Sequence, residues 1–291
     1  MSSGVAWSLL AALGFGFTQN LNRKSNLLVG PYRTAFGLLV FVELILVVQL
    51  TATGGWSVLD GAPLRFLCYF VASALIHYMV AWTLLALSQN QIGVARTGAV
   101  TSAAPLVGAV LAAVFLAEPL TIWTVFGVLA SAVGVTLVSL SRAPDAGKRW
   151  VIPGFGLAVA ACWGTSPMLI RKGLEGIDAP VLGLAVGLGA ALVVHAVVLT
   201  ATGRWTSEPF DRRAIVWMAL GGLTGAVAIS SQWISFGLTT IAIAITVQQL
   251  ATLVVVALAP IMFGTIERPN ALLLAGTATM LAGSALVVWA G

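Results

Sequence analysis

Few side chains in this sequence are equipped for chemistry, and those few sit inside long apolar runs. Glu43 lies near the middle of the run 31–52. A carboxyl there is either a protonatable coupling group, partnered by His77 or His195, or a hydrogen-bonded structural acid. His77 is followed by Tyr78 and Trp82, the last two spaced i, i+4 on one helical face, where they line a ligand path or pack a core. His195, with no carboxylate near it in sequence, reads as structural. Trp163 stands in "CWGTSP", beside Gly164 and before Pro167, so its helix should kink and present the indole as a cavity wall. "SSQW" (230–233) and "VQQL" (247–250) place Ser231, Gln232, Gln248 and Gln249 in apolar surroundings, with Gln19, Asn20, Gln89, Thr101 and Ser102 as first-half counterparts. Adjacent Gln248 and Gln249 cannot both face one cavity. Amides and hydroxyls suit a zwitterionic ligand because they donate or accept without fixed charge; otherwise they bond helix to helix. Arg96 either captures a carboxylate or snorkels to the interface.

Other chemistries lack their residues. There is no H-E-x-x-H, Walker loop or G-x-S-x-G, so neither an enzyme nor an ATP-driven pump is expected. Cys68 and Cys162 are isolated thiols that make neither a disulfide framework nor a metal site, and no cofactor is expected.

The elements that must hold these residues are membrane helices. Of 291 residues, 59% are hydrophobic and 8% charged, against about 25% charged in soluble domains. A bilayer core needs about 20 apolar residues per helix, and ten candidate spans follow: 4–21, 31–52, 64–88, 92–116, 121–140, 153–171, 180–201, 213–237, 241–264 and 271–290. The N-terminus lacks the marks of a cleaved signal and reads as the first permanent span. Pro105, Pro167 and Pro260 are expected to interrupt spans four, six and nine.

The connector "SRAPDAGKRW" (141–150) divides the chain into similar halves, 1–141 and 151–291. "SLLAALGFGFTQNLNRKS" (8–25) aligns with "GLAVAACWGTSPMLIRKG" (156–173), matching Gly16 to Gly164 and Arg23-Lys24 to Arg171-Lys172. "IGVA" (92–95) aligns with "IAIA" (241–244), and Glu118 falls on Glu267. Five spans per half invert the second copy, an architecture of transporters with a site at the repeat interface. Basic residues crowd the loops after odd-numbered spans, which by the positive-inside rule puts both termini outside.

The segment 81–140, "AWTLLALSQNQIGVARTGAVTSAAPLVGAVLAAVFLAEPLTIWTVFGVLASAVGVTLVSL", resembles the EamA-type members of the drug/metabolite transporter superfamily. Pro105, Glu118, Leu120, Thr121, Gly127 and Gly134 carry the likeness. The second half is similar more weakly: "ERPN" replaces "E-x-L-T", and Leu253 or Val254 stands where Pro105 would repeat. The resemblance implies a monomeric multi-pass transporter of a bacterial cytoplasmic membrane, with cytoplasmic termini, against the charge count. Trp163, His77 and Tyr78 look most like the YddG-type amino-acid exporters.

The function expected is export of amino acids, aromatic or large neutral ones especially. Phosphorylated substrates would want several midplane cations, and only Arg96 comes close. A lipophilic-cation exporter using Glu43 is the alternative. Glu118-Pro119 and Glu267-Pro269 read as hairpin turns on opposite membrane faces, with Thr121 capping the next helix, and neither glutamate is expected to couple transport.

Overall fold

In the computed structural model, residues 3–92, 100–141, 154–203, 211–263 and 270–290 are described, with the side chains of 86 and 89–92 among those left aside. The side chain of Gln89, Arg96, and the turn bearing Glu267 therefore lie outside what is described. Every regular element described is helical. In order these are α1 (Ser3–Val29), α2 (Pro31–Thr53), a 3-10 turn (Gly55–Leu59), α3 (Leu64–Ala74), a π-helical turn (Leu75–Val80), α4 (Ala81–Ile92), α5 (Ala104–Leu116), α6 (Ile122–Leu140), α7 (Gly154–Leu174), α8 (Pro180–Ala201), α9 (Arg212–Leu238), α10 (Ile241–Gln248), α11 (Ala251–Phe263) and α12 (Ala271–Ala290).

The exterior is the apolar side of this molecule. Leu13, Phe17, Val48, Val114, Val193, Val197, Leu223, Ile261 and Leu274 are all exposed, while Ser8, Asn20, Ser73, His77, Ser166, His195, Gln232 and Gln248 are buried. That inversion suits lipid, where every backbone polar group must be satisfied within the helices. Among the described residues, six helices are long and apolar enough to cross a membrane: Tyr32–Thr53, Leu64–Leu85, Ile122–Leu140, Pro180–Ala201, Arg212–Leu238 and Ala271–Ala290. The protein is thus an all-helical, multi-pass membrane protein.

Some of the described connections are tight. A single residue, Gly30 at φ 79°, joins α1 to α2. Glycine takes that left-handed conformation without a Cβ penalty, and Pro31 opens α2 where its missing N–H is no loss. At the next turn Thr121 caps α6 by accepting from the Thr124 N–H at 3.1 Å, as the sequence suggested.

Two of the expected proline breaks fall elsewhere. The fourth span turns at Ser102–Ala103, and Pro105 begins the helix that follows. The ninth turns at Gln249–Leu250, between α10 and α11, well before Pro260. Pro167 lies inside an unbroken α7. What it removes there is one hydrogen bond, since it offers no N–H to the carbonyl of Trp163.

The main packing pairs are α1 on α9, α6 on α12, α2 on α9, α3 and α4 on α7, α5 on α7, α3 on α8, and α10 and α11 on α1. The principal core joins Leu38, Val42 and Leu46 of α2, Phe70 of α3, Leu184 and Leu188 of α8, and Trp233 and Phe236 of α9. At the α6–α12 crossing Gly127 faces Gly283 and Gly134 faces Gly276. A Cβ at any of the four would come within 2.8 Å of backbone across the interface. Only glycine lets the two helices approach this closely.

Candidate functional site

The π-helical turn at 75–80 sets the site. One extra residue per turn there is rare and frequent at functional positions, and this turn carries His77 and Tyr78, both buried. His77 Nδ1 lies 2.6 Å from Ser166 Oγ on α7. Its ring stacks on Trp163 from the same helix, with centroids 6.0 Å apart and planes 30° from parallel. Tyr78 turns the other way and its hydroxyl accepts from Trp233 Nε1 on α9 at 3.0 Å. Trp82 meets Tyr78 edge to face at 6.1 Å. The expected aromatic group is thereby gathered from three helices.

A second network runs through the amides. Gln232 Nε2 donates to Gln248 Oε1 at 2.9 Å, and Gln248 Nε2 donates to Ser235 Oγ at 3.2 Å. Ser235 in turn donates to the Gln232 carbonyl at 2.7 Å. Gln232 and Trp233 are consecutive on α9, so they point about 100° apart. One helix therefore links the amide network to the ring cluster.

Among the buried polar atoms that have no hydrogen-bond partner among the described residues, two belong to side chains of these networks: Trp163 Nε1, a donor, and Gln232 Oε1, an acceptor. Left unmet, such groups cost about 1–3 kcal/mol each, so each is an available contact for a polar ligand.

The remaining predicted residues divide. Ser231 and Thr101 are buried, and Gln249 is half-buried at the α10–α11 break. Gln19 is exposed on the outer face, whereas its neighbour Asn20 is buried and donates to the carbonyls of Gly16 and Val255. A shift of one residue turns a helix by about 100°, and apolar periodicity alone did not distinguish the two. Glu43 lies apart from both networks, between α2 and α8, with Oε1 3.1 Å from where a Cβ on Gly189 would stand and with Oε2 buried and unpartnered. His195 is further along the same seam, edge-on to Phe36 at 5.7 Å. Two shallow, largely apolar grooves flank the α5–α6 and α6–α12 contacts; they touch none of the ring or amide groups.

Sequence reasoning missed Glu118 as a bonded residue. Its Oε2 accepts from the Ile241 N–H at 2.8 Å, and its Oε1 lies 3.3 Å from Arg171 Nη2. The only sequence-level signal is that Glu118 and Arg171 both have counterparts in the other half.

Residues 2–140 match the profile of the EamA-like transporter family, within the drug/metabolite transporter superfamily. That match, confined to the first half of the chain, points to a membrane transporter of small molecules. A solved structure described only as "Crystal structure of protein" aligns over 99% of this chain and 98% of its own, with a TM-score of 0.80 and 17% identity. The likeness shows a shared fold across both halves. No curated protein sequence matches this chain.

Proposed function

We propose that the chain is a ten-span secondary transporter of a bacterial cytoplasmic membrane, acting as a monomer. In this reading residues 1–141 and 151–291 are inverted five-helix repeats, and amino acids, aromatic or large neutral ones especially, leave by alternating access between them. Spans one to five correspond to α1, α2, α3–α4, α5 and α6, and spans six to ten to α7, α8, α9, α10–α11 and α12.

The packing supports the repeat. Under an inverted two-fold, α1 on α9 is the counterpart of α7 on α3–α4, and α5 on α7 that of α10–α11 on α1, while α2–α8, α5–α10 and α6–α12 pair with themselves. The glycines obey the same rule: Gly127 and Gly134 correspond to Gly276 and Gly283, and each pair meets crosswise, as an isologous contact requires. Thr121 caps α6, and its counterpart Asn270 caps α12 by accepting from the Leu273 N–H at 2.8 Å.

The observation that carries the substrate reading is the stacked Trp163–His77 pair held by Ser166, with the buried Trp163 N–H unmet among the described residues, as is the Gln232 amide oxygen of the second network. Rings offer a flat apolar surface, and the unmet donor and acceptor suit a neutral or zwitterionic solute. Protein reconstituted in liposomes loaded with tryptophan, methionine or threonine should release them, and Trp163→Ala should lose that release while remaining folded. Movement of a lipophilic cation dye without amino-acid release would favour the alternative. That second reading rests on Glu43, whose carboxyl sits beside Gly189 through Oε1 and keeps a buried Oε2 unpartnered among the described residues, a ready seat for a proton or a cationic group.

A further inference from the structure

The turn between α5 and α6 does more than reverse the chain. Ala117 ends α5 at φ 53°, a left-handed conformation in a residue with a Cβ, which costs about 1–2 kcal/mol where glycine would be nearly free. The sharp reversal accompanies a Glu118 side chain that is only 10% exposed. One carboxylate oxygen accepts from the first N–H of α10, at Ile241, and the other faces Arg171 in the last turn of α7. Arg171 also donates through Nη1 to the carbonyl of Phe236, near the end of α9. The ends of α5, α7 and α9 and the start of α10 are thus joined through one carboxylate and one guanidinium. The neighbouring pair Lys172–Glu175 is, by contrast, exposed and confined to the end of one helix.

Each helix reached by this junction carries part of the site. Ser166 is five residues before Arg171, about 7.5 Å along α7, and Trp163 lies two turns away. Gln232 is one turn before Phe236, and Gln248 two turns after Ile241. Burial pushes the Glu118 carboxyl above the ordinary carboxylate range, while the Ile241 N–H and the Arg171 charge pull it back. The carboxyl thus gives up solvent while keeping two protein partners, the Ile241 N–H and Arg171.

We infer that Glu118 and Arg171 form a latch that closes this face of the bundle and positions α7, α9 and α10 around the site, and that the latch must part for the site to open toward that face. The inference rests on the transport reading, but its test needs no substrate. Spin labels at exposed Leu120 and Asp178, in a background with Cys68→Ser and Cys162→Ser, report by pulsed electron paramagnetic resonance the distance between the α5–α6 turn and the α7–α8 turn. Wild type should give one distance population. Glu118→Gln and Arg171→Gln should each add a longer one, and the double variant should add no more than either alone, because the bridge is lost once. Lys172→Gln should leave the wild-type distribution. Where either neutral variant fails to fold, Glu118→Asp and Arg171→Lys carry the same comparison, since each keeps its charge but shortens or unforks the contact. An unchanged distribution in the latch variants, additive effects, or an equal change in Lys172→Gln overturns the latch. Failure of amino-acid release in liposomes would leave these distances untouched, so the two readings fail separately.

Discussion

Replacing Gly134 with alanine tests the contact that joins the two halves. The new Cβ would stand 2.5 Å from Met280 N and 2.7 Å from the Gly276 carbonyl oxygen. Ordinary contacts of a Cβ begin near 3.4 Å, so α6 and α12 must separate by roughly 1 Å, since neither obstacle is a side chain that can rotate away. Overpacking of this kind costs about 1–3 kcal/mol. Alanine regains about 1 kcal/mol of helix propensity, so the net loss is about 0–2 kcal/mol. Gly154→Ala is the control that isolates the steric part. Among the described residues nothing lies within 4 Å of its Cβ position, so, as the first residue of α7, it collects at most the propensity gain. The midpoint of heat-induced loss of folded protein in detergent, followed by size-exclusion chromatography, should therefore fall for Gly134→Ala and hold or rise for Gly154→Ala.

The double variant sharpens the test. Gly276→Ala presses on the same crossing, against the Gly134 oxygen and Val138 N, both at 2.8 Å. One separation of the helices relieves both collisions, so the combined loss should be smaller than the sum of the single losses. Equal midpoints for Gly134→Ala and Gly154→Ala, or strictly additive losses across the pair, would refute the close crossing.

Three further outcomes follow from other contacts. Tyr78→Phe strands the buried Trp233 N–H and should destabilise by about 1–3 kcal/mol, with part of the loss recovered when Trp233→Phe is added; the same thermal assay reads both. Thr121→Ala removes the cap on α6 and should cost about 1 kcal/mol, again as a lowered midpoint. The proposed ten spans would put both termini on one membrane face, so compartment-sensitive reporters fused at the two ends should agree. A cytoplasmic signal favours the family resemblance and an external one the charge asymmetry, while disagreement between the ends excludes an even number of spans.

Much of the fold was legible because hydropathy and helix ends coincide where a span meets a turn. The expected spans 180–201 and 271–290 are the observed helices, and 121–140 and 213–237 differ from theirs by a residue at one or both ends. The first span shows the limit: α1 runs through "NLNRKS" to Val29, because a helix continues past the apolar run that a membrane requires. Hydropathy marks the edge of the oil and leaves the end of the hydrogen-bond ladder to capping and turns. The breaks at 102–103 and 249–250 and the π-turn at 75–80 escaped for the same reason, since none changes composition. At the site, residue type was informative for His77, Tyr78, Trp82 and Trp163, which do meet. Face was not legible for Gln19 and Asn20. Glu118 was read as a turn residue because its partners, Arg171 and the Ile241 N–H, are far along the chain and one of them is backbone.

The latch bears on the substrate as well. A transporter of phosphorylated metabolites needs guanidinium or ammonium groups free to face the ligand. Arg171 is the cation nearest in sequence to Trp163 and Ser166, and its guanidinium is engaged by Glu118 and the Phe236 carbonyl. The residues that make the ring and amide networks, Trp163, His77, Ser166, Tyr78, Trp233, Gln232, Gln248 and Ser235, include no lysine, arginine, aspartate or glutamate. Selectivity built from such groups works by shape, stacking and neutral hydrogen bonds. Apolar shape alone separates neighbours by one methylene only weakly, whereas an unmet buried donor or acceptor rejects a ligand unable to satisfy it far more strongly. The discriminating features of the proposed substrate are therefore its flat or bulky apolar body and the polar groups that would meet Trp163 Nε1 and Gln232 Oε1, with net charge disfavoured.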